Sequence, residues 1–556
     1  MLTRLFLFVA LFLLPVSASA QGVVSAAEPR AAEAGREILR AGGSASDAAM
    51  AMMLALTVVE PQSSGIGGGG FLLHHDGRSG VMTTIDGREI APASAGATRF
   101  LTREGKPMAF SAAFPGGLSV GVPGNIRLMA AAHRRWGKLP WRRLFDPAIR
   151  LADKGFIVSD RLAESIAGVS RLWADFPEIR RLYSGRDGKP LRAGERMRNR
   201  ALAKTLRAIA KRGPDAFYSG AIGREISSAV AAAKHNPAQL TLADLAAYQA
   251  KERPPVCAKY RRFKVCGMGP PSSGATTILQ MLGMLERFDL KTMGSRDPKS
   301  WHLIAEAMKL AYADRDKWLG DRDFIAVPVA GLLDPAYLRA RSAMISPDRP
   351  LGLYQPGTPP GADARTAAPS GEVPSTTHFV AVDGDGDVAS MTSTVEGPFG
   401  SQLIAGGFVL NNELTDFSFA PEKEGAPVAN RVQAGKRPLS SMSPTIVYDE
   451  SGRPILALGS AGGKRIIMHV AKTLIGVLDF GLPAQQAIAL PNLYFSGPAT
   501  LVEEGTFLAE MASQLSRIDG VVTRAALTSK VNAAERTAAG WRGAADPRGD
   551  GVALSE

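Results

Sequence analysis

Two adjacent threonines, Thr376 and Thr377 in PSTTHF, open a run of alternating residues that reads as a strand. A loose segment rich in Pro, Gly and Ala, QPGTPPGADARTAAPSGEVPS, leads into them. A threonine hydroxyl is a weak nucleophile and needs a base beside it. If the chain is cut between Ser375 and Thr376, the new α-amine is that base. Its ordinary pKa of about 7.7–8.0 leaves a useful neutral fraction near pH 7, so no histidine is needed. The loose segment then has a purpose, because the severed end must move away. The competing reading is a loop feeding an ordinary strand, where Thr is common. A second pair, Thr276-Thr277 in GATTIL, shows how little the dipeptide says alone.

Further groups fall into place around this pair. TTHFVAV and DVASMTSTV flank DGDG, a hairpin signal. A two-residue turn at Gly384-Asp385 puts Thr376 opposite Ser393, with Thr394 adjacent. GSAGGKRI is a glycine turn between a strand and a helix, so the N–H groups of Gly462 and Gly463 can face a developing oxyanion. It is not a phosphate loop, because Leu458 and Arg465 stand where Gly and Ser/Thr are required. GIGGGGF lacks the strand and acidic residue of a dinucleotide site and reads as tight backbone packing. DGDGD lacks the calcium-loop Gly and Glu, having Val388 and Thr394 there. The histidines show no metal spacing, so no cofactor or metal is expected. Arg88 in DGREIAP, with Glu396, Glu413 and Asp416, offers one cation and three carboxylates for the two ends of an amino acid. Taken singly, each also reads as a solvated surface charge.

The elements that must position these groups change character along the chain. Helical spacing predominates over residues 25–350, for example at 31–43, 44–61, 125–137, 144–155, 201–213, 221–235 and 300–320. Strands are expected at GFLLHHDG, GVMTTIDGRE and around the two cysteines. After Thr376 strands dominate: the hairpin, GGFVLNNELTDF and SPTIVYDESGRPILALGSAGG, closed by a helix at IIMHVAKTLIGVLDFG. Helices followed by paired antiparallel strands point to an α+β fold with helices outside stacked sheets.

The chain has 556 residues, with 45% apolar and 21% charged, which is ordinary globular composition. Its net charge of +13 is spread without aromatic-interleaved basic tracts, so nucleic acid is not an expected partner. Residues 1–20, MLTRLFLFVALFLLPVSASA, have a basic start, an apolar run and a small-residue end, which predicts a secretory signal and an exported protein, periplasmic or secreted. That run is too short to span a bilayer and no Cys follows it, so no membrane anchor is expected. Cys257 and Cys266 lie on two short strands around a turn; a disulfide and two buried thiols are both open readings.

Taken together these segments resemble the γ-glutamyltransferase (γ-glutamyltranspeptidase) family. The match runs through GREILRAGGSASDAAMA, PQSSGIGGGGF, DGREIAP, GVPG, PPSSGATT, TTHF, NNELTDF, KRPLSSMSPTIV, GSAGGKRI and ADPR in that order. The resemblance implies a four-layer αββα N-terminal-nucleophile hydrolase fold. It implies autocatalytic cleavage between Ser375 and Thr376, giving a large subunit (21–375) and a small one (376–556) interlocked as a heterodimer. Thr376 would attack the γ-carbonyl of glutathione or another γ-glutamyl donor and pass the acyl group to water, an amino acid or a peptide. By position, Thr394 tunes the nucleophile and Gly462 and Gly463 form the oxyanion hole. Arg88, Ser440 and Ser441 hold the α-carboxylate, and Glu396, Glu413 and Asp416 the α-ammonium. The sequence departs from the family at Glu396, where many members have Asn, at Glu413, where some have Gln, and at Ala461 and Lys464, where Pro and Ser are usual. The segment 417–435 is short and lacks the gating tyrosine of some bacterial members, which implies a more open pocket.

Two other functions fit parts of this pattern. A glutaryl or β-lactam side-chain acylase would use the same nucleophile without an ammonium site. An unprocessed pseudoenzyme would bind γ-glutamyl peptides without turnover.

Overall fold

The computed structural model describes residues 22–365 and 375–556. The expected signal segment lies outside these residues, as does the linker stretch 366–374.

Seven strands form the first sheet, in the order Val552–Ser555, Val23–Ala26, Thr377–Val382, Val388–Thr394, Gly69–His75, Met82–Gly87 and Lys251–Arg253. Six strands form the second: Gly540–Ala545, Asn532–Thr537, Pro454–Gly459, Thr445–Tyr448, Phe263–Gly267 and Val256–Tyr260. Alternation along Thr377–Val382 explains the stacking. Phe379 and Ala381 pack with Leu54 and Ile38 of the helices Ala45–Val59 and Pro29–Arg40. Val380 and Val382 turn the other way, towards Ile446, Leu456 and Leu458 of the second sheet. The far face of that sheet is covered by the helices Gly274–Leu285, Pro298–Trp318 and Arg465–Leu478. The result is helix, sheet, sheet, helix. A strand buried on both faces needs apolar residues throughout, each worth about 1.5–3 kcal/mol on burial. The helix Ala45–Val59 is likewise buried on every side. A capping box starts it: Asp47 N donates to Ser44 Oγ and Ser44 N to the Asp47 carboxylate.

Three expectations are corrected. The hairpin register is Thr377↔Ser393 and His378↔Thr392, so Thr376 faces the Thr394 end of its partner strand and not Ser393. The turn is one residue longer than DGDG implied. Asp383 N donates to Asp387 O at 3.1 Å, Asp383 Oδ1 accepts from the amides of Asp385 and Asp387, and Gly386 takes φ +86°. GGFVLNNELTDF is not a long strand: only Phe408–Val409 pairs, with Ile404–Ala405, and Glu413–Asp416 is one 3-10 turn. Asn411 explains this, since its side-chain amide takes over the hydrogen bonds of a ladder partner. It donates to Gly67 O at 2.8 Å and Gly121 O at 2.9 Å, and accepts from Gly121 N and Glu413 N. Pattern reading also missed Gly274–Leu285, apolar all round, and the three strands after residue 530. Cys257 stands opposite Cys266 and the two form a disulfide.

Gly459 ends the strand that leads into the glycine turn. A Cβ there would sit 2.4 Å from the ring of His378, which is buried and held 2.8 Å from Thr392 Oγ1. Gly459→Ala is therefore expected to cost about 1–3 kcal/mol by overpacking. Thermal unfolding measures this, and an unchanged melting temperature would mean that the ring yields freely.

Candidate active site

Thr376 enters its strand at φ +118°, a region that β-branched residues avoid. Holding it there costs on the order of 1–3 kcal/mol. Its Oγ1 donates to Thr394 Oγ1 at 3.1 Å, and Thr394 Oγ1 also accepts from Glu396 N at 2.8 Å. Its neighbour has a different task. Thr377 Oγ1 donates to Glu60 Oε2 at 2.6 Å, and Glu60 pairs with Lys530 at 2.6 Å. Only Thr376 of the pair lines the cavity described next. The run GIGGGGF lies against the partner strand, Val388–Thr394. A Cβ on Gly67 would fall 1.9 Å from Val409 O, and one on Gly68 1.9 Å from Thr394 O. Close backbone approach is thus the reason for these glycines.

One cavity brings together Thr376, Thr394, Arg88, Glu396, Glu413, Asp416, Ser440, Ser441 and Gly463. Gly462 lines a neighbouring cavity, so the glycine turn walls both. Gly462 and Gly463 take φ +131° and +59°, and among the described residues neither N–H donates to a protein acceptor. His469 packs beneath the turn, its Nδ1 3.0 Å from Ser460 Oγ, and burial drives its pKa down to about 3, so it is neutral.

Arg88 is fully buried and forks between two acids. Nη1 meets Glu413, and Nη2 lies 2.5 Å from Asp416 Oδ2. Pro438 O and Leu439 O take further hydrogen bonds from it. Burial opposes its charge, but Glu413 and Asp416 outweigh that and raise its pKa. Asn412 Nδ2 donates to the Glu396 carboxylate and its Oδ1 accepts from Gly397 N, which fixes that acid. Burial pushes the Glu413 carboxyl well above its usual range, helped by Glu89 and Glu396 and opposed by Arg88.

Sequence reasoning missed three contributors. Glu89 follows Arg88 inside DGREIAP and is fully buried beside the same acids, which adds a fourth carboxyl; its place next to Arg88 in the motif was the available signal. Arg315, on the helix Pro298–Trp318, donates from Nη2 to Ser441 Oγ at 2.7 Å and from Nε to Ser273 Oγ at 2.9 Å. The PPSSG segment buttresses Ser440–Met442: Ser273 Oγ donates to Ser440 O and Ser272 Oγ to Met442 O, both at 2.7 Å. Nothing local marks Arg315, because helical spacing alone does not distinguish it from a solvated face.

Glu396 and Asp416 stand with two further carboxyls, Glu89 and Glu413, that burial pushes towards their protonated forms, so the site offers an ammonium several oxygen acceptors around one buried arginine. Burial raises the Glu89 carboxyl to about 8 from an ordinary 4.5. The folded protein therefore keeps this proton while the unfolded chain has lost it, and stability falls as pH rises through that interval. Glu89→Gln cannot ionise. Its melting temperature should decline less than that of the parent between about pH 4.5 and about pH 8. Parallel curves would mean that Glu89 is ionised in the fold.

The chain matches the family model Gamma-glutamyltranspeptidase over residues 31–555. It is 36% identical to the "Glutathione hydrolase proenzyme" of Bacillus subtilis (strain 168), covering 90% of this chain and 85% of that protein. It is 34% identical to the "Acylase ACY 1 proenzyme" of Pseudomonas sp. (strain SE83), covering 97% and 94%. Among solved structures it resembles a cephalosporin acylase from Bacillus halodurans with a TM-score of 0.84 and 27% identity, covering 96% of both chains. The helix–sheet–sheet–helix sandwich is that of the N-terminal-nucleophile hydrolases. With its motifs in order and the family model matched along almost the whole described chain, the protein belongs to the γ-glutamyltranspeptidase family.

Proposed function

We propose that this protein is a γ-glutamyltransferase and glutathione hydrolase, made as a precursor that cuts itself between Ser375 and Thr376. The observation that carries the reading is the acid-rich cavity, with one buried arginine, that opens on the Thr376 hydroxyl. An α-amino acid end presents an ammonium and a carboxylate together. The carboxylate is taken by Arg88 with the hydroxyls of Ser440 and Ser441, and the ammonium by Glu396, Glu413 and Asp416. Without substrate these opposite charges satisfy one another, as the Arg88 pairs with Glu413 and Asp416 do.

The reaction then follows from position. Thr376 Oγ attacks the γ-carbonyl carbon and its proton passes to the freed α-amine of Thr376. Negative charge on the carbonyl oxygen is met by the amides of Gly462 and Gly463. Thr394 Oγ1 orients the nucleophile through the contact it already makes. The C–N bond breaks, the leaving amine takes the proton, and a γ-glutamyl ester remains. Water or an amine attacks that ester and restores Thr376. Strain at Thr376 favours the first cut, because cleavage releases φ from the fold's constraint. The two pieces stay together as a heterodimer. Export fits residues 1–20 and the Cys257–Cys266 disulfide, and among the described residues no helix is long and apolar enough to cross a membrane. A second reading, side-chain acylase, is supported by the likeness to the acylases. The buried acids favour glutamyl over glutaryl donors, since a glutaryl group has no ammonium.

Intact mass after incubation near pH 8 tests the cleavage. Two fragments are expected, the smaller starting at Thr376, and none from Thr376→Ala; one uncut chain from the parent would support the binding-protein reading instead. Arg88→Lys keeps the buried charge but loses the fork. It should lower kcat/KM for glutathione by about a hundredfold or more while self-cleavage proceeds. Equal loss of both would remove Arg88 from substrate binding. Faster release from glutaryl- than from γ-glutamyl-p-nitroanilide would favour the acylase.

A further inference from the structure

Cations that are scattered along most of the sequence gather on one face of the fold. Residues 191–213 hold eight Lys and Arg against one acid, Glu195. The helix Arg200–Arg212 supplies five of these and no carboxylate. Its buried side, with Leu202, Leu206 and Ile209, joins the apolar core on the helix-covered face of the first sheet. On its outer side Arg200, Lys204, Arg207 and Lys211 recur every three or four residues, so they form one exposed line roughly 16 Å long. This line does nothing for the helix that carries it. Arg200 is the first helical residue, where the macrodipole disfavours a cation, and no acid stands in the first turn. Successive members of the line also repel one another. Arg207 meets Asp153 at 2.6 Å, an exposed pair of little worth, and among the described residues Arg200, Lys204 and Lys211 have no ion-pair partner.

The charge continues past the start of the helix. Arg196 Nη2 and Arg198 Nε both donate to Lys154 O at 3.0 Å, which brings the exposed Lys154 to the same edge. A groove of about 660 Å³ opens beside them, lined by Arg181, Arg186, Arg196 and Arg198 with Glu178 and Glu225, so cations are in excess there too. The remaining acid, Glu195, lies 3.7 Å from Arg192. Ile157 pairs with Arg196 in a two-residue ladder and is 49% exposed, an apolar side chain next to these cations.

We propose that this face docks the protein on a bilayer surface rich in anionic phospholipid. A row of long cationic side chains with an apolar residue beside it suits the headgroup layer: ammonium and guanidinium groups meet the phosphates, and Ile157 meets the acyl boundary. Single-stranded nucleic acid is bound on aromatic platforms, and residues 191–213 contain no Phe, Trp or Tyr. The protein lies on such a membrane without crossing it. Docking is independent of the chemistry at Thr376, since none of these residues lines its cavity.

The test is sedimentation of the form expected after export, from Gln21 onwards, with vesicles of equal parts phosphatidylglycerol and phosphatidylcholine, and with phosphatidylcholine alone. At about 0.15 M salt, where charges act over about 8 Å, the parent should sediment with the anionic vesicles and not with the others. Each cation near such a surface is worth about fivefold in affinity, so Arg200→Gln/Lys204→Gln/Arg207→Gln/Lys211→Gln should bind about a hundredfold more weakly or worse. That variant should melt no lower than the parent, because repulsion along the helix has been removed, so its loss of binding is not a loss of fold. Lys291→Gln/Arg339→Gln/Arg517→Gln/Arg524→Gln removes the same charge from exposed positions on elements that pack against the second sheet's core. Screening keeps distant charges from contributing, so this variant should bind within about threefold of the parent. Equal losses from the two variants would mean that net charge, and not this face, is read. No sedimentation with the anionic vesicles, equal sedimentation with phosphatidylcholine alone, or tighter binding of a short DNA duplex at the same salt would each overturn the membrane assignment.

Discussion

The residue at position 376 has to satisfy two incompatible demands. It begins a strand in the middle of a doubly covered sheet, where backbone freedom is smallest. In the proposed reaction it must also become a chain end with a free amine. The fold meets the first demand by force: φ +118° on a β-branched residue is sustained because the residues around it are fixed. Thr377 is tied to Glu60, Ser375 to the Gln62 carbonyl, and the partner strand is pressed against glycines that leave no room for a Cβ. Ser375 and Thr377 are both tied down, so the strain falls on the residue between them.

Charge is distributed with the same economy. The glycine turn divides two small cavities: Arg88, Glu396, Glu413 and Asp416 line one, and Arg161, Arg465 and Lys530 line the other. Burial makes this separation matter, because unlike charges in a poorly solvated site are felt far more strongly than in water.

Much of this was legible in the sequence. Where local chemistry is self-sufficient, the reading held: the glycine run as close packing, and the strands on either side of DGDG. The resemblance supplied the site residues, and the fold brings Arg88, Glu396, Glu413, Asp416, Ser440 and Ser441 to the cavity of Thr376. Failures came where a distant partner decides the outcome. Asn411 replaces strand pairing with side-chain hydrogen bonds to residues far away in the chain, and no alternation pattern records that. Arg315 is buried because Ser273 and Ser441 receive it, yet its own helix gives no hint. The hairpin register slipped by one because Asp383 caps a longer turn than its Gly content implied.

The order of strands in the first sheet has a consequence for the two pieces that the proposed cleavage would give. Val23–Ala26, from before the scissile bond, is hydrogen-bonded between Thr377–Val382 and Val552–Ser555, both from after it. The two pieces therefore do not meet across a surface that can open. Pulling them apart breaks ladders of the first sheet, so separation and denaturation are the same event. Dilution should leave such a pair intact at concentrations where an ordinary two-chain complex would come apart.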